Sequence, residues 1–110
     1  MRTFNVKPKT VTASTKLDTN KLESQIWSVL ERYMKKEGVD VDDLKAYTVV
    51  EIGPSSDQES IKVEVRSEYL TSFRAQIEVS QKLDKVVEKY DKDAYFDCED
   101  SGILVAFIEV

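Results

Sequence analysis

Between residues 60 and 66 apolar and charged side chains alternate without a break, with Ile61, Val63 and Val65 set against Lys62, Glu64 and Arg66. Successive side chains of a strand point to opposite faces, so this period of two specifies a strand with one buried and one wet face. Such a strand needs an antiparallel neighbour and a cover over its apolar side. Residues 45–52 are rich in β-branched side chains and read as a mostly buried strand, and residues 53–57 (Gly-Pro-Ser-Ser-Asp) form the turn between the two. A hairpin with one wet face is expected here.

The cover comes from segments with a helical period. Leu22, Ile26, Val29, Leu30 and Tyr33 fall on one stripe, bordered by Trp27 and Met34. Asn20 followed by Glu23 matches a capping box, and Gly38 supplies a C-terminal stop, which predicts a helix over residues 20–37. Residues 37–43 then form an acidic connector. Residues 70–90 admit two readings. Phe73, Ala75, Ile77 and Val79 alternate as in a strand, whereas Arg74, Glu78 and Lys82 pair charges at helical spacing and Val79, Leu83, Val86, Val87 and Tyr90 form a helical stripe. One helix starting near Ser72 is favoured, with a strand at 72–79 followed by a shorter helix as the alternative.

The flanks complete the pattern. Phe4 and Val6 alternate with polar neighbours in residues 2–13, which read as a strand interrupted by Pro8. Residues 94–98, a turn at 99–102 and the apolar residues 103–108 read as a second hairpin whose last strand is central. The expected order is strand, helix, hairpin, helix, hairpin. This is an α+β fold with an antiparallel β-sheet covered by two helices on one face, in split βαβ (ferredoxin-like) order with an extra C-terminal hairpin. At 110 residues and 41% hydrophobic composition, residues 1–110 are expected to form a single domain.

Composition narrows the chemistry. The chain has no histidine, one cysteine and three glycines. No Cys-His or Ser-His-Asp set can be assembled, no Gly-x-Ser-x-Gly element exists, and the glycines form neither a dinucleotide-binding fingerprint nor a phosphate loop. Residues 91–102 place carboxylates at spacings near those of a calcium loop, but Phe96 stands where the turn glycine is required and Gly102 where the bidentate acid is required. Cys98 reads as a structural residue. No enzyme, no metal site and no cofactor is expected. The lone cysteine fits a reducing compartment, neither a secretory h-region nor a membrane span is visible, and a cytoplasmic location is expected.

Charge is what remains to carry function. The chain has a net charge of −5, and residues 51–110 hold 14 acids against 7 bases. Free nucleic acid is therefore not expected as a partner, since affinity for it comes largely from neutralising phosphates with Lys and Arg. Two acidic clusters, Glu37, Asp40, Asp42 and Asp43, and Asp91, Asp93, Asp97, Glu99 and Asp100, are the candidate partner-binding residues. Trp27, at the border of its stripe, is the preferred aromatic anchor over Tyr33 and Tyr47. They point to a protein partner with a basic surface.

In size, acidity and absence of catalytic motifs the chain resembles the small acidic inhibitors of phages and mobile elements, anti-CRISPR proteins among them. That resemblance implies a non-catalytic module that inhibits a nucleic-acid-handling host protein by occupying its basic surface. The alternative is a self-associating structural or adaptor domain, a homodimer formed by residues 103–108 or the N-terminal strand pairing across a sheet edge.

Overall fold

The computed structural model of the chain describes residues 18–56 and 59–109. Helix α1 spans Thr19–Lys36 and buries Leu22, Ile26, Leu30 and Tyr33 of the predicted stripe together with Met34 from its border, while Val29 of that stripe is half-buried. Its N-cap is Asp18, whose Oδ1 accepts the Lys21 N–H at 3.1 Å. Asn20 therefore lies inside the first turn rather than capping it, and Glu23 accepts the Trp27 indole N–H at 3.4 Å. The far end follows its glycine signal. Gly38 takes φ +82°, and the N–H groups of Gly38 and Val39 bond back to the Lys35 and Met34 carbonyls, which closes the last turn with a left-handed residue.

The acidic connector holds a second helix, α2, over Val41–Ala46. Asp42 and Asp43 stand in its first turn, where carboxylates complement the helix dipole, and Leu44 is fully buried and anchors it. Residues 45 and 46 thus belong to a helix, and the first strand starts later than the pattern predicts.

Strand β1 spans Thr48–Pro54 and β2 spans Ser60–Ser67, paired antiparallel from Thr48 opposite Ser67 to Pro54 opposite Ile61. β1 is an edge strand with Val49 and Glu51 exposed, so the mostly buried strand expected here is half-wet. Helix α3 spans Phe73–Val87 and is capped by the Ser72 hydroxyl, which accepts the Ala75 N–H at 3.1 Å. The strand alternative for 72–79 fails because Phe73, which alternation would bury, is 77% exposed, whereas the helical stripe of Val79, Leu83, Val86 and Val87 is buried. Strands β3, Phe96–Asp100, and β4, Ile103–Glu109, close the fold, with β3 displaced two residues from its expected start.

The four strands form one antiparallel sheet in the order β1-β2-β4-β3. β2 and β3 run parallel with β4 between them, joined through α3. The strand expected ahead of α1, residues 2–13, lies outside the described residues. β4 is hydrogen-bonded on both sides, so it offers no free edge for the self-pairing that the alternative reading assigned to it. Ile61, Val63, Val65, Leu104, Ala106 and Ile108 join α1 and α3 in a single hydrophobic cluster, and each large side chain buried there contributes on the order of 2 kcal/mol. On the other face Arg66 pairs with Glu64 and Glu51 at 2.7 and 3.4 Å, Lys62 approaches Glu64 at 3.5 Å, and Phe107 is exposed beside them. Among the described residues no helix is long and apolar enough to cross a membrane.

Candidate protein-docking surface

The start of β1, the end of β2 and the β3–β4 turn meet at one end of the sheet. The register that sets Thr48 opposite Ser67 brings their hydroxyls to 2.7 Å in a buried pair. It continues outward as a bond from the Glu68 N–H to the Tyr47 carbonyl at 3.1 Å. The Ser67 N–H donates to the Gly102 carbonyl at 2.9 Å, and the Ser67 hydroxyl accepts the Tyr69 N–H at 3.1 Å. Leu70, fully buried, seats the loop on the core.

These constraints place Tyr69 edge-on against Tyr47, with ring centroids 6.2 Å apart and planes at 80°. Edge-to-face geometry is favoured by the ring quadrupoles, with a contribution of about 0.5–1.5 kcal/mol beyond area burial. Tyr47 remains 51% exposed, while Tyr69 is half-buried. The Tyr69 hydroxyl is pushed above its ordinary value by desolvation first, then by the charge of Asp43, by Tyr47 and by Glu68. Asp43 and Glu68 therefore flank the ring pair. Asp42 stands beside Asp43 in the first turn of α2, and Asp40 caps that helix through its backbone carbonyl while its carboxylate makes no capping bond. Val41 and Val49 add exposed apolar surface on either side of Tyr47 in the chain. The outcome is an aromatic pair framed by carboxylates on two segments.

Glu99 and Asp100 reach the same end through the β3–β4 turn, where the Asp100 carbonyl accepts the Gln76 side-chain amide at 3.2 Å and its Oδ1 accepts the Ser101 N–H. The rest of the C-terminal acidic cluster lies elsewhere. Asp91 sits at the opposite end of β4, its Oδ1 accepting the Asp93 N–H at 3.0 Å and its Oδ2 the Glu109 N–H at 2.9 Å. The span of β4 puts it roughly 20 Å from the Ile103 end, at about 3.3 Å per residue. Asp93 is exposed in the same distal turn, and Asp97, the second residue of β3, pairs with Val105 near the middle of β4. Glu37 closes α1 and borders the groove between α1 and α3. The structure thus gathers Asp40, Asp42 and Asp43 with Glu99 and Asp100 at one end of the sheet and separates Asp91, Asp93 and Asp97 from them.

The aromatic candidates divide as sharply. Tyr33 is buried, Trp27 is half-buried against the core, and Tyr47 has the exposure an anchor needs. Glu68 and Tyr69 had no counterpart among the sequence candidates. The hairpin register carries the signal for them: once Thr48 faces Ser67, Tyr47 must adjoin Glu68. Cys98 is exposed on β3 opposite Leu104. Among the described residues no three carboxylate or thiol groups converge in a metal-binding arrangement. Comparison of the chain with protein-family models, with curated proteins and with solved structures finds no match.

Proposed function

We propose that the chain is a non-catalytic module that docks onto a basic surface of another protein through the end of the sheet carrying Tyr47 and Tyr69. The single observation that carries this reading is the Tyr47–Tyr69 pair, with Tyr47 exposed and Tyr69 half-buried, beside Asp43 and Glu68. Rigid aromatics lose little entropy on docking and dominate interface energies, while surrounding charges steer association and select the partner. Glu99 and Asp100 extend the negative surface. The target class is a nucleic-acid-handling protein with a basic groove, as for the phage and mobile-element inhibitors that the chain resembles in size and acidity. Inhibition then follows from occupancy: a carboxylate surface seated on cations that otherwise hold phosphates excludes the nucleic acid.

The test is capture by the tagged chain with stepped salt elution, followed by direct titration of the recovered protein with and without a competing DNA duplex. A basic protein released by moderate salt, bound competitively with DNA and not bound by D42K/D43K/E68K, is the expected result. Equal binding by that triple variant, or recovery of the bait alone, would overturn the assignment.

A further inference from the structure

A second surface has the opposite sign. Helices α1 and α3 lie antiparallel, tied at one end by Tyr33 to Glu78 and at the other by the Tyr90 hydroxyl to Gln25 at 2.8 Å. Between these ties their outer surfaces enclose an open groove of about 960 Å³. Val29, half-buried, brings apolar surface to its floor, with the buried Val86 beneath. Its rims are basic: Arg32 and Lys36 stand at i, i+4 on α1, Lys82 and Lys85 at i, i+3 on α3, spacings that keep each pair on one helix face, and Lys89 lines the groove from the turn that follows α3. All five are exposed, and none is ion-paired with a carboxylate among the described residues. Of the two acids bordering the groove, Glu78 is already held by Tyr33 and Arg74. In a chain of net charge −5, five cations along one groove, of which only Lys82 is among the charges that lower the Glu78 carboxyl, are a local inversion.

From this we infer that the groove is a docking site for an acidic amphipathic helix of a partner protein. A partly apolar floor between basic rims is the complement of a helix with an apolar stripe flanked by Glu or Asp: the stripe packs onto Val29 and the aliphatic stems of the rim lysines, and the carboxylates reach their ammonium groups. Residues 25–36 of α1 span about 16 Å at 1.5 Å per residue, room for a ligand helix of about three turns. A phosphate ligand would use the rims but leave the apolar surface of Val29 uncovered, whereas an amphipathic helix covers both. The site shares no residue with the acidic end of the sheet, so the two surfaces stand or fall separately.

The experiment uses a fluorescein-labelled peptide of about 18 residues with Leu on one helical face and Glu on its flanks. A control of the same composition, reordered so that no apolar face forms, is titrated beside it against the full chain by anisotropy. The expected result is saturable binding of the amphipathic peptide, weaker by about tenfold or more in K82E/K85E/K89E and in 0.5 M salt, with little binding of the control. Far-ultraviolet circular dichroism of the variant, matched to the wild type, shows that the helices persist. Equal binding of both peptides would reduce the groove to a nonspecific anion surface and overturn the inference, as would unchanged affinity in the triple variant. Tighter binding of inorganic polyphosphate that displaces the peptide would overturn it in favour of a phosphate ligand. Self-association that depends on both the groove lysines and Asp42/Asp43 in sedimentation equilibrium would overturn it in favour of a second copy.

Discussion

The Tyr33 hydroxyl donates a 2.8 Å hydrogen bond to Glu78 Oε1 across 45 residues of sequence. Arg74, one turn back on α3, donates to the other carboxylate oxygen at 3.2 Å, so both oxygens are engaged. Desolvation first, then the bond to Glu78, pushes the Tyr33 hydroxyl up to about 12. An acid whose folded pKa is raised holds its proton in the folded state after the unfolded chain has lost it, so its contribution is full below about pH 10 and is lost as pH rises toward 12. Glu78 is shifted the other way, held below the carboxylate range by Tyr33 and then Arg74, and its contribution is lost as pH falls through its folded value. Y33F should cost about 1 kcal/mol at pH 7 and flatten the alkaline limb of a stability–pH curve. Urea titrations from pH 3 to 11 check it, and an unchanged alkaline limb would contradict the tie.

Asp18, not Asn20, caps α1 through the Lys21 N–H. D18A should therefore lose about 1 kcal/mol, within the range for N-cap substitutions, while N20A should be neutral within ~0.5 kcal/mol. Thermal or urea unfolding of the two variants decides between the caps. A larger loss in N20A would restore the Asn20–Glu23 box.

The misplaced cap illustrates how far the residues could be read in advance. The stripe from Leu22 to Met34 and the alternation of Ile61, Val63 and Val65 each repeat over several turns or pleats, so burial periodicity identified them. Helix α2 has six residues and a single buried one, Leu44, too few for a period to emerge, and its stability comes from carboxylates at its N-terminus and from that one anchor. The β-branched residues that follow drew the predicted strand too far forward. For the surfaces, net composition named the acids but not their neighbours. The acid run after Asp91 looks continuous in sequence, yet β3 and β4 distribute it along the sheet. The basic groove draws Arg32 and Lys36 from α1, Lys82 and Lys85 from α3 and Lys89 from the turn after it, with Glu31, Glu37, Asp84 and Glu88 close by in the chain, so no long charge run announces it.

Gly102 and Gly38 both adopt left-handed φ, at +81° and +82°, but only Gly102 is crowded. A Cβ added there would meet the Ser67 carbonyl oxygen at 2.8 Å, whereas Gly38 has nothing within 4 Å. G38A should cost about 1–2 kcal/mol, the strain of an L-residue in that region. G102A carries the same strain plus displacement of the β2 backbone and should cost more, about 3 kcal/mol. Equal losses in equilibrium unfolding would show that the turn can retreat from Ser67.

Asp84 joins α3 to β3 by accepting the Phe96 N–H at 2.7 Å. Desolvation raises its pKa, partly opposed by that N–H and aided by Glu88 and Asp97. A raised carboxyl pKa means that stability is greatest below the unfolded value and falls as pH rises through the folded one. D84N keeps an oxygen for Phe96 and removes the charge, so it should gain stability over the wild type as pH rises from 3 to 7, with no gain from the charge near pH 3. D84A removes the acceptor and should lose about 1–2 kcal/mol at either pH. Denaturant titrations of both variants at the two pH values test the separation, and a destabilised D84N would show that the charge itself holds the contact.

Asp91 and Asp43 contrast a carboxylate turned into the fold with one on the proposed docking surface. Each oxygen of Asp91 accepts a backbone N–H, from Asp93 and from Glu109, so its charge is turned into the fold at the end of β4. Asp43 stands on the exposed first turn of α2 beside the Tyr47–Tyr69 pair, where its charge is felt by the Tyr69 hydroxyl. D91A leaves two backbone donors without their acceptor and should lose about 1–3 kcal/mol while leaving affinity for a basic partner within twofold under conditions where it is folded. D43K gives up a carboxylate at the N-terminus of α2 and should cost about 0.5–1 kcal/mol, yet weaken that affinity and its salt dependence. Unfolding curves and binding titrations on the same two variants yield a crossed pattern if the docking surface is the Tyr47 end of the sheet. The reverse pattern, with affinity following Asp91 and indifferent to Asp43, would move the surface to the distal turn.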